Sequence, residues 1–266
     1  MRIDPLTHTD LPAIRNLQPE GWPDIVPVFD FYIRSAFCDP VKVTLNGHIV
    51  GLGASIAYDT TAWLAHIIVS KNHRNKGIGY ELVCEILNRL DRTMETCLLL
   101  ATPSGQSVYR KAGFREVTPY LFFQREKPWR NYPVSSHIIP FEASHRKIIL
   151  KSDREITGEN RENILSNYIK NARIYWEDHK VKGYYIPGAG EGPIIADTVD
   201  AGLELMKMKY AKADTAVLPA DNSEGIAFLE QNGFTLTHTQ GIRMIRGKEI
   251  HWKPEKIYSR IGGNFG

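Results

Sequence analysis

The sequence predicts an α/β protein built from two similar halves, and three observations carry that expectation. Short apolar strand patterns alternate with helical periodicities through the first half of the 266 residues. The order then recurs: YRKAGF at 109–114 returns as LEQNGF at 229–234, and Gly233 minus Gly113 is an offset of 120. Finally, RNKGIG at 74–79 lies between the apolar run WLAHIIV at 63–69 and the amphipathic run YELVCEILNRL at 80–90. That succession reads as a strand, a basic glycine loop and a helix.

Taken in order, a strand is expected over 1–5, helical stretches over 10–17 and 25–36, and strands over 41–45 and 49–58. Asn46-Gly47 tolerates positive φ at both positions, so the last two strands should form an antiparallel hairpin. A mostly buried strand over 63–69 and the loop 70–76 lead to a helix over 77–90. In that helix Ile78, Leu82, Val83, Ile86, Leu87 and Leu90 fall on one face. A strand over 96–101, a helix over 105–112 stopped by Gly113, and a strand pair through 114–125 follow. The segment KPWRNYPVSS at 127–136 has two prolines and little periodicity, as a linker would.

Beyond it, a polar helical stretch over 144–170, broken near Gly158, precedes strands over 172–176 and 183–186. The glycine-rich loop IPGAGEGP at 186–193 then leads to a helix over 198–209. A strand over 215–218 and a helix over 223–232 complete the pattern.

Composition excludes several classes. With 42% apolar and 24% charged residues the chain is globular. A net charge of +3, from 33 cations against 30 anions, gives no argument for nucleic acid or an anionic membrane. No segment reaches the roughly 18 apolar residues of a membrane span, and the first residues lack the apolar core of a secretory signal. Cys38, Cys84 and Cys97 are odd in number and lack C-x-x-C spacing, which fits a reducing, cytoplasmic compartment and neither a disulfide frame nor a metal site.

The glycine loop carries the chemistry. The first turn of a helix has unpaired N–H groups and a partial positive charge, and glycines let a phosphate approach that backbone. Arg74 and Lys76 add charge, so RNKGIG reads as a pyrophosphate cradle. Neither the mononucleotide loop G-x-x-x-x-G-K-[ST] nor the dinucleotide fingerprint G-x-G-x-x-G fits Gly77-Ile78-Gly79-Tyr80-Glu81-Leu82. The alternative is that Gly77 and Gly79 only permit a tight strand-to-helix turn.

With TPSGQSVYRKAGF at 102–114 following in order, residues 1–125 resemble the GCN5-related N-acetyltransferase (GNAT) superfamily, whose signature is [RQ]-x-x-G-x-[GA] at that junction. The family's later tract, N-x-x-A-x-x-x-Y-x-x-x-G-F, is matched at its Tyr and Gly-Phe ends. The resemblance implies a mixed, mostly antiparallel sheet flanked by helices. It further implies a tandem form, with an acetyltransferase domain over 1–130 and a diverged copy over 137–266. Acetyl-CoA would be the cosubstrate, with no metal, and a small-molecule or peptide primary amine would attack it directly.

On that resemblance the pantetheine arm would pair with Ile67, Ile68 and Val69, one of whose amides would polarise the thioester carbonyl. The pyrophosphate would sit on the amides of Asn75, Lys76, Gly77, Ile78, Gly79 and Tyr80, beside Arg74. Tyr109 would protonate the leaving thiolate. Thr102 stands where the family often has Asn and would make one hydrogen bond to the cofactor. The general base is open: the fourth strand has no carboxylate, and His66 is its nearest titratable group, set against a water chain or a residue brought from elsewhere. Glu20, Asp24 and Asp178 could hold a cationic acceptor or be solvated surface charges.

The second half keeps the outline and loses these residues. Aligning the Gly-Phe ends sets Leu229 where Tyr109 stands and Asn222 where Thr102 stands, and the loop GAGEGP carries Glu191, which would repel phosphate. One acetyl-CoA per chain is therefore expected. The competing function class is a non-catalytic CoA-binding module.

Overall fold

The computed structural model describes residues 1–90, 94–126 and 133–266; residues 127–132 of the expected linker lie outside the described residues. The first half runs β1 (Arg2–Pro5), α1 (Leu11–Ile14), α2 (Ile25–Arg34), β2 (Cys38–Leu45), β3 (His48–Tyr58), β4 (Thr61–Val69), α3 (Ile78–Arg89), β5 (Thr96–Ala101), α4 (Gln106–Lys111) and β6 (Arg115–Gln124). The second runs β7 (Ile138–Pro140), α5 (Arg146–Thr157), α6 (Glu162–Leu165), β8 (Arg173–Glu177), β9 (Lys180–Tyr185), β10 (Ile194–Ala196), α7 (Val199–Tyr210), β11 (Thr215–Pro219), α8 (Ser223–Gln231), β12 (Thr235–Gly247) and β13 (Ile257–Ser259).

By contact density the chain divides into two units. Unit 1 holds Met1–Glu116, Met244–Lys248 and Phe265; unit 2 holds Val117–Arg243, Glu249–Asn264 and Gly266. A division at 127–136 differs from this one in the placement of 117–126, 244–248 and Phe265.

In unit 1 the strand order is β1-β2-β3-β4-β5, with the 244–247 end of β12 beyond β5. The first four strands pair antiparallel, and β4 and β5 pair parallel. Asn46 and Gly47 have φ of 50° and 81° and close the β2–β3 hairpin with Leu45 opposite His48, as the dipeptide predicts. Helix α3 buries Ile78, Leu82, Val83 and Ile86, the face that the period assigns to the core. Each such side chain contributes on the order of 2 kcal/mol by leaving water. Gly53 on β3 lets this helix approach the sheet: a Cβ there would lie 2.8 Å from both Ile67 Cδ1 and Ile86 Cδ1.

In unit 2 one sheet has the order β12-β6-β11, using residues 235–243 of β12, and a second has the order β13-β10-β9-β8-β7. Two expectations change. The segment 114–125 forms one strand, not a pair: no turn dipeptide interrupts β6, and its antiparallel partner over 120–124 is β11. The loop IPGAGEGP does not lead into a helix. It joins β9 to β10, and the strand-to-helix junction of this half is Ala196-Asp197-Thr198-Val199. With three residues, β10 is too short to show a period in sequence.

Unit 2 also encloses charge. Arg161 grips Asp153 with two bonds, Nη2 to Oδ1 at 2.6 Å and Nε to Oδ2 at 3.1 Å, while the Tyr184 hydroxyl donates to the same carboxylate. Both charged side chains are 2% exposed. Burial opposes the Arg161 charge, yet the Asp153 carboxylate beside it holds the guanidinium protonated. Replacing one partner strands the other, so Arg161→Leu should cost about 3–5 kcal/mol of unfolding free energy in a urea titration. A loss below about 1 kcal/mol would show that the pair is dispensable.

Candidate active site

In unit 1, β4 ends at Val69, and the sequence-nominated glycine loop follows it into the start of α3. Opposite Gly53, β4 carries an extra residue: Leu52 faces Ile68 and Ala54 faces Ala65, which leaves His66 and Ile67 against a single position. His66 adopts a φ of 50° to make this bulge. Bulges bend and twist a strand. The parallel pairing with β5 covers only Thr61–Thr96, Ala62–Cys97 and Trp63–Leu98, so the part of β4 holding Ile67, Ile68 and Val69 has no ladder partner on β5.

The chain then turns through Asn75 and Gly77, at φ of 60° and 82°, into α3. Gly77 is the N-cap and offers no side chain to the helix, so the first-turn amides of Ile78, Gly79 and Tyr80 stay uncapped. The backbone at Gly79 is accessible: a Cβ would meet only Val69 Cγ2, at 3.6 Å. Arg74 Nε donates to the Val69 carbonyl at 3.2 Å and Lys76 Nζ to the Asn72 carbonyl at 3.0 Å, which ties both exposed cations to the loop. A cavity of about 370 Å³ opens at this loop, lined by residues 16–19, 69–72 and Arg74.

Tyr109 lies on α4. Its ring is buried against Gly105, where a Cβ would come within 2.8 Å, and meets Phe114 edge-on at 6.1 Å. Burial pushes its phenol above the ordinary range, which keeps it protonated. Thr102 is exposed, its hydroxyl 3.1 Å from that of Ser104.

His66 faces an aromatic group that sequence reading did not foresee. Nδ1 lies 2.9 Å from the Tyr32 hydroxyl, and the ring is edge-on to Trp22, Phe29 and Tyr32 at 5.8, 5.7 and 5.6 Å. Burial pushes its pKa down to about 4. The sequence marks 25–36 as helical, but nothing local links that helix to residue 66. The acidic candidates have other work: Asp24 caps α2 through Val26 N at 3.0 Å, Glu20 pairs with Lys71 at 3.3 Å, and Asp178 sits in a turn at φ of 50°.

Two family models match the chain. Residues 39–116 and residues 149–259 each match an acetyltransferase (GNAT) domain, and together the two matches cover well over half of the sequence. The chain belongs to the GNAT acetyltransferases. It is a tandem member, with one such domain in each half, and acetyl transfer is the general activity of the family.

Solved structures agree on the fold. A Pyrococcus horikoshii protein assigned as an acetyltransferase superposes with a TM-score of 0.83 at 19% identity, covering 100% of this chain and 95% of that one. A GCN5-related N-acetyltransferase from Sphaerobacter thermophilus gives 0.64 at 13% identity, over 92% and 95%. A GNAT-family acetyltransferase from Colwellia psychrerythraea gives 0.54 at 13%, over 93% and 100%. Among curated proteins no sequence matches. Among the described residues no group of three or more His, Cys, Asp or Glu side chains could hold a metal ion, and no helix is long and apolar enough to cross a membrane.

The buried imidazole makes this GNAT protein sensitive to pH. Its folded pKa of about 4 lies below the ordinary 6.5, so the unfolded chain takes the proton first. The stability from keeping His66 neutral is complete above about pH 6.5 and is lost as pH falls towards 4, by up to about 3 kcal/mol. His66→Asn keeps a residue that tolerates positive φ and should flatten the fall of melting temperature between pH 7 and 4.5. An unchanged slope would assign the acid sensitivity to other groups.

Proposed function

We propose that unit 1 binds acetyl-CoA along β4 and the start of α3 and transfers its acetyl group to a primary amine of a small molecule or peptide. One observation carries the reading: beyond Trp63 the edge of β4 has no strand partner among the described residues, beside a helix whose first amides are uncapped. An extended arm bearing amides is the complement of the former, and a pyrophosphate of the latter.

The arm would pair with Ile67, Ile68 and Val69, and the pyrophosphate would lie on the amides from Asn75 to Tyr80, with Arg74 and Lys76 adding charge and Thr102 a hydroxyl. The acceptor nitrogen bonds to the thioester carbon as the carbon–sulfur bond breaks. Tyr109, held protonated by burial, gives the departing sulfur its proton. His66, with a pKa near 4, is a weak base at neutral pH, so the proton leaving the amine passes to water. His66 instead shapes the wall, with Tyr32 and Trp22.

Gly79→Val tests the cradle. The new Cβ meets only ordinary contact in the protein, so stability should stay within about 1 kcal/mol, while calorimetric affinity for CoA falls by roughly tenfold or more. Unchanged affinity in the folded variant would show that the amides of this turn do not hold the cofactor.

Tyr109→Phe addresses the chemistry. Release of free CoA thiol, screened across amines, polyamines, amino acids and peptides, identifies the acceptor. With that acceptor the variant should turn over roughly 10² to 10⁴ times more slowly at unchanged CoA affinity. Wild-type turnover would remove Tyr109 from the mechanism, and thiol release with none of the acceptors would favour the non-catalytic binding module.

A further inference from the structure

Unit 2 repeats the strand–helix–strand order of unit 1, with β10, α7 and β11 in the places of β4, α3 and β5. The space between the two strands is treated differently. β13 pairs antiparallel with β10, Ile194 opposite Ser259 and Ile195 opposite Ile257, and also packs against β11. Ile257, Tyr258 and Ser259 are all buried.

Side chains of the neighbouring elements hold β13 in this place. Asn222, which aligns with Thr102, donates its Nδ2 hydrogen to the Ile257 carbonyl at 3.0 Å. Gly202, in the first turns of α7, lies flat against the Tyr258 ring, where a Cβ would come within 2.3 Å. The helix start is closed as well: Thr198 accepts from Ala201 N at 3.4 Å, and Asp197 and Asp200 set negative charge at the junction.

The C-terminal end of β13 is fastened. Lys209 donates to the Ser259 hydroxyl and to the carbonyls of Glu191 and Gly192, and Arg260 grips Glu191 with two bonds, at 2.8 and 2.6 Å. Glu191 thus anchors the strand through its neighbour.

We infer that β13 is an internal occupant of the second acyl-CoA groove, a strand of the chain's own backbone standing where an amide-bearing pantetheine arm would pair. The inference rests on the reading of unit 1 for what such a groove takes. The peptide groups of β13 satisfy the edge of β10, its Ile257 carbonyl takes the hydrogen bond of Asn222, and Tyr258 covers the helix start. Unit 2 is therefore a filled duplicate, and the chain carries one acyl-CoA site.

Hydrogen exchange read by mass spectrometry, with calorimetric titration of acetyl-CoA into the full chain, tests this. Peptides covering 194–196 and 257–259 should exchange slowly without ligand and stay unchanged at saturation, protection should appear only over 64–80, and the stoichiometry should be near one. New protection over 194–202 or 257–259, or a stoichiometry near two, would overturn the inference. Tyr258→Ala should speed exchange of 194–196 and 257–259 together, with CoA affinity within twofold of wild type. If 194–196 does not respond in that variant, β13 is not what covers β10. Absence of heat and of any protection with acetyl-CoA would overturn the reading of unit 1, while joint loss of protection in Tyr258→Ala would still support an occupied groove.

Discussion

A strand has two edges of peptide groups, and each group removed from water needs a partner. In this protein that requirement is met unevenly, and the rest of the architecture follows from where it lapses. β4 pairs along nearly its whole length with β3, but its parallel partner leaves after Trp63. The bulge at His66 bends the strand at the same place. What remains is a short stretch of backbone suited to an extended polar ligand, next to a helix that begins on a glycine. In the second half the same edge is met by β13, and the corresponding helix begins on a threonine that caps it. The two halves differ less in framework than in what completes one strand.

Much of the framework was readable. Asn46-Gly47 specifies a turn through its own backbone preferences, and α3 declares its buried face through spacing alone. The RNKGIG turn was legible because its geometry is local: the positive φ of Gly77 and the bare amides beyond it are properties of consecutive residues. The end of α4 was legible through Gly113, whose φ of 89° follows the helix that carries Tyr109.

Other features depend on partners remote in the chain. His66 meets Tyr32 and Trp22 across more than 30 residues, and no pattern marks that encounter. The acidic glycine loop looked like a degraded phosphate site because Gly and Glu were counted without position. It joins two strands, where Lys209 and Arg260 hold it from other elements. Cationic partners supplied from 18 and 69 residues away reverse the meaning of Glu191. β13, three residues long, has too few positions to show any period, although it pairs along β10.

The membership of the units has a temporal side. β5 receives its outer neighbour from residues 244–247, so the sheet of unit 1 stays unfinished while the ribosome makes everything between. At the usual rates of synthesis that interval lasts on the order of 7–30 s, long compared with the folding of local hairpins and helices. Throughout it the nascent first half presents a bare strand edge of the kind that recruits wrong partners. Such a connectivity places its exposure during translation, before the last strand of the sheet has been made.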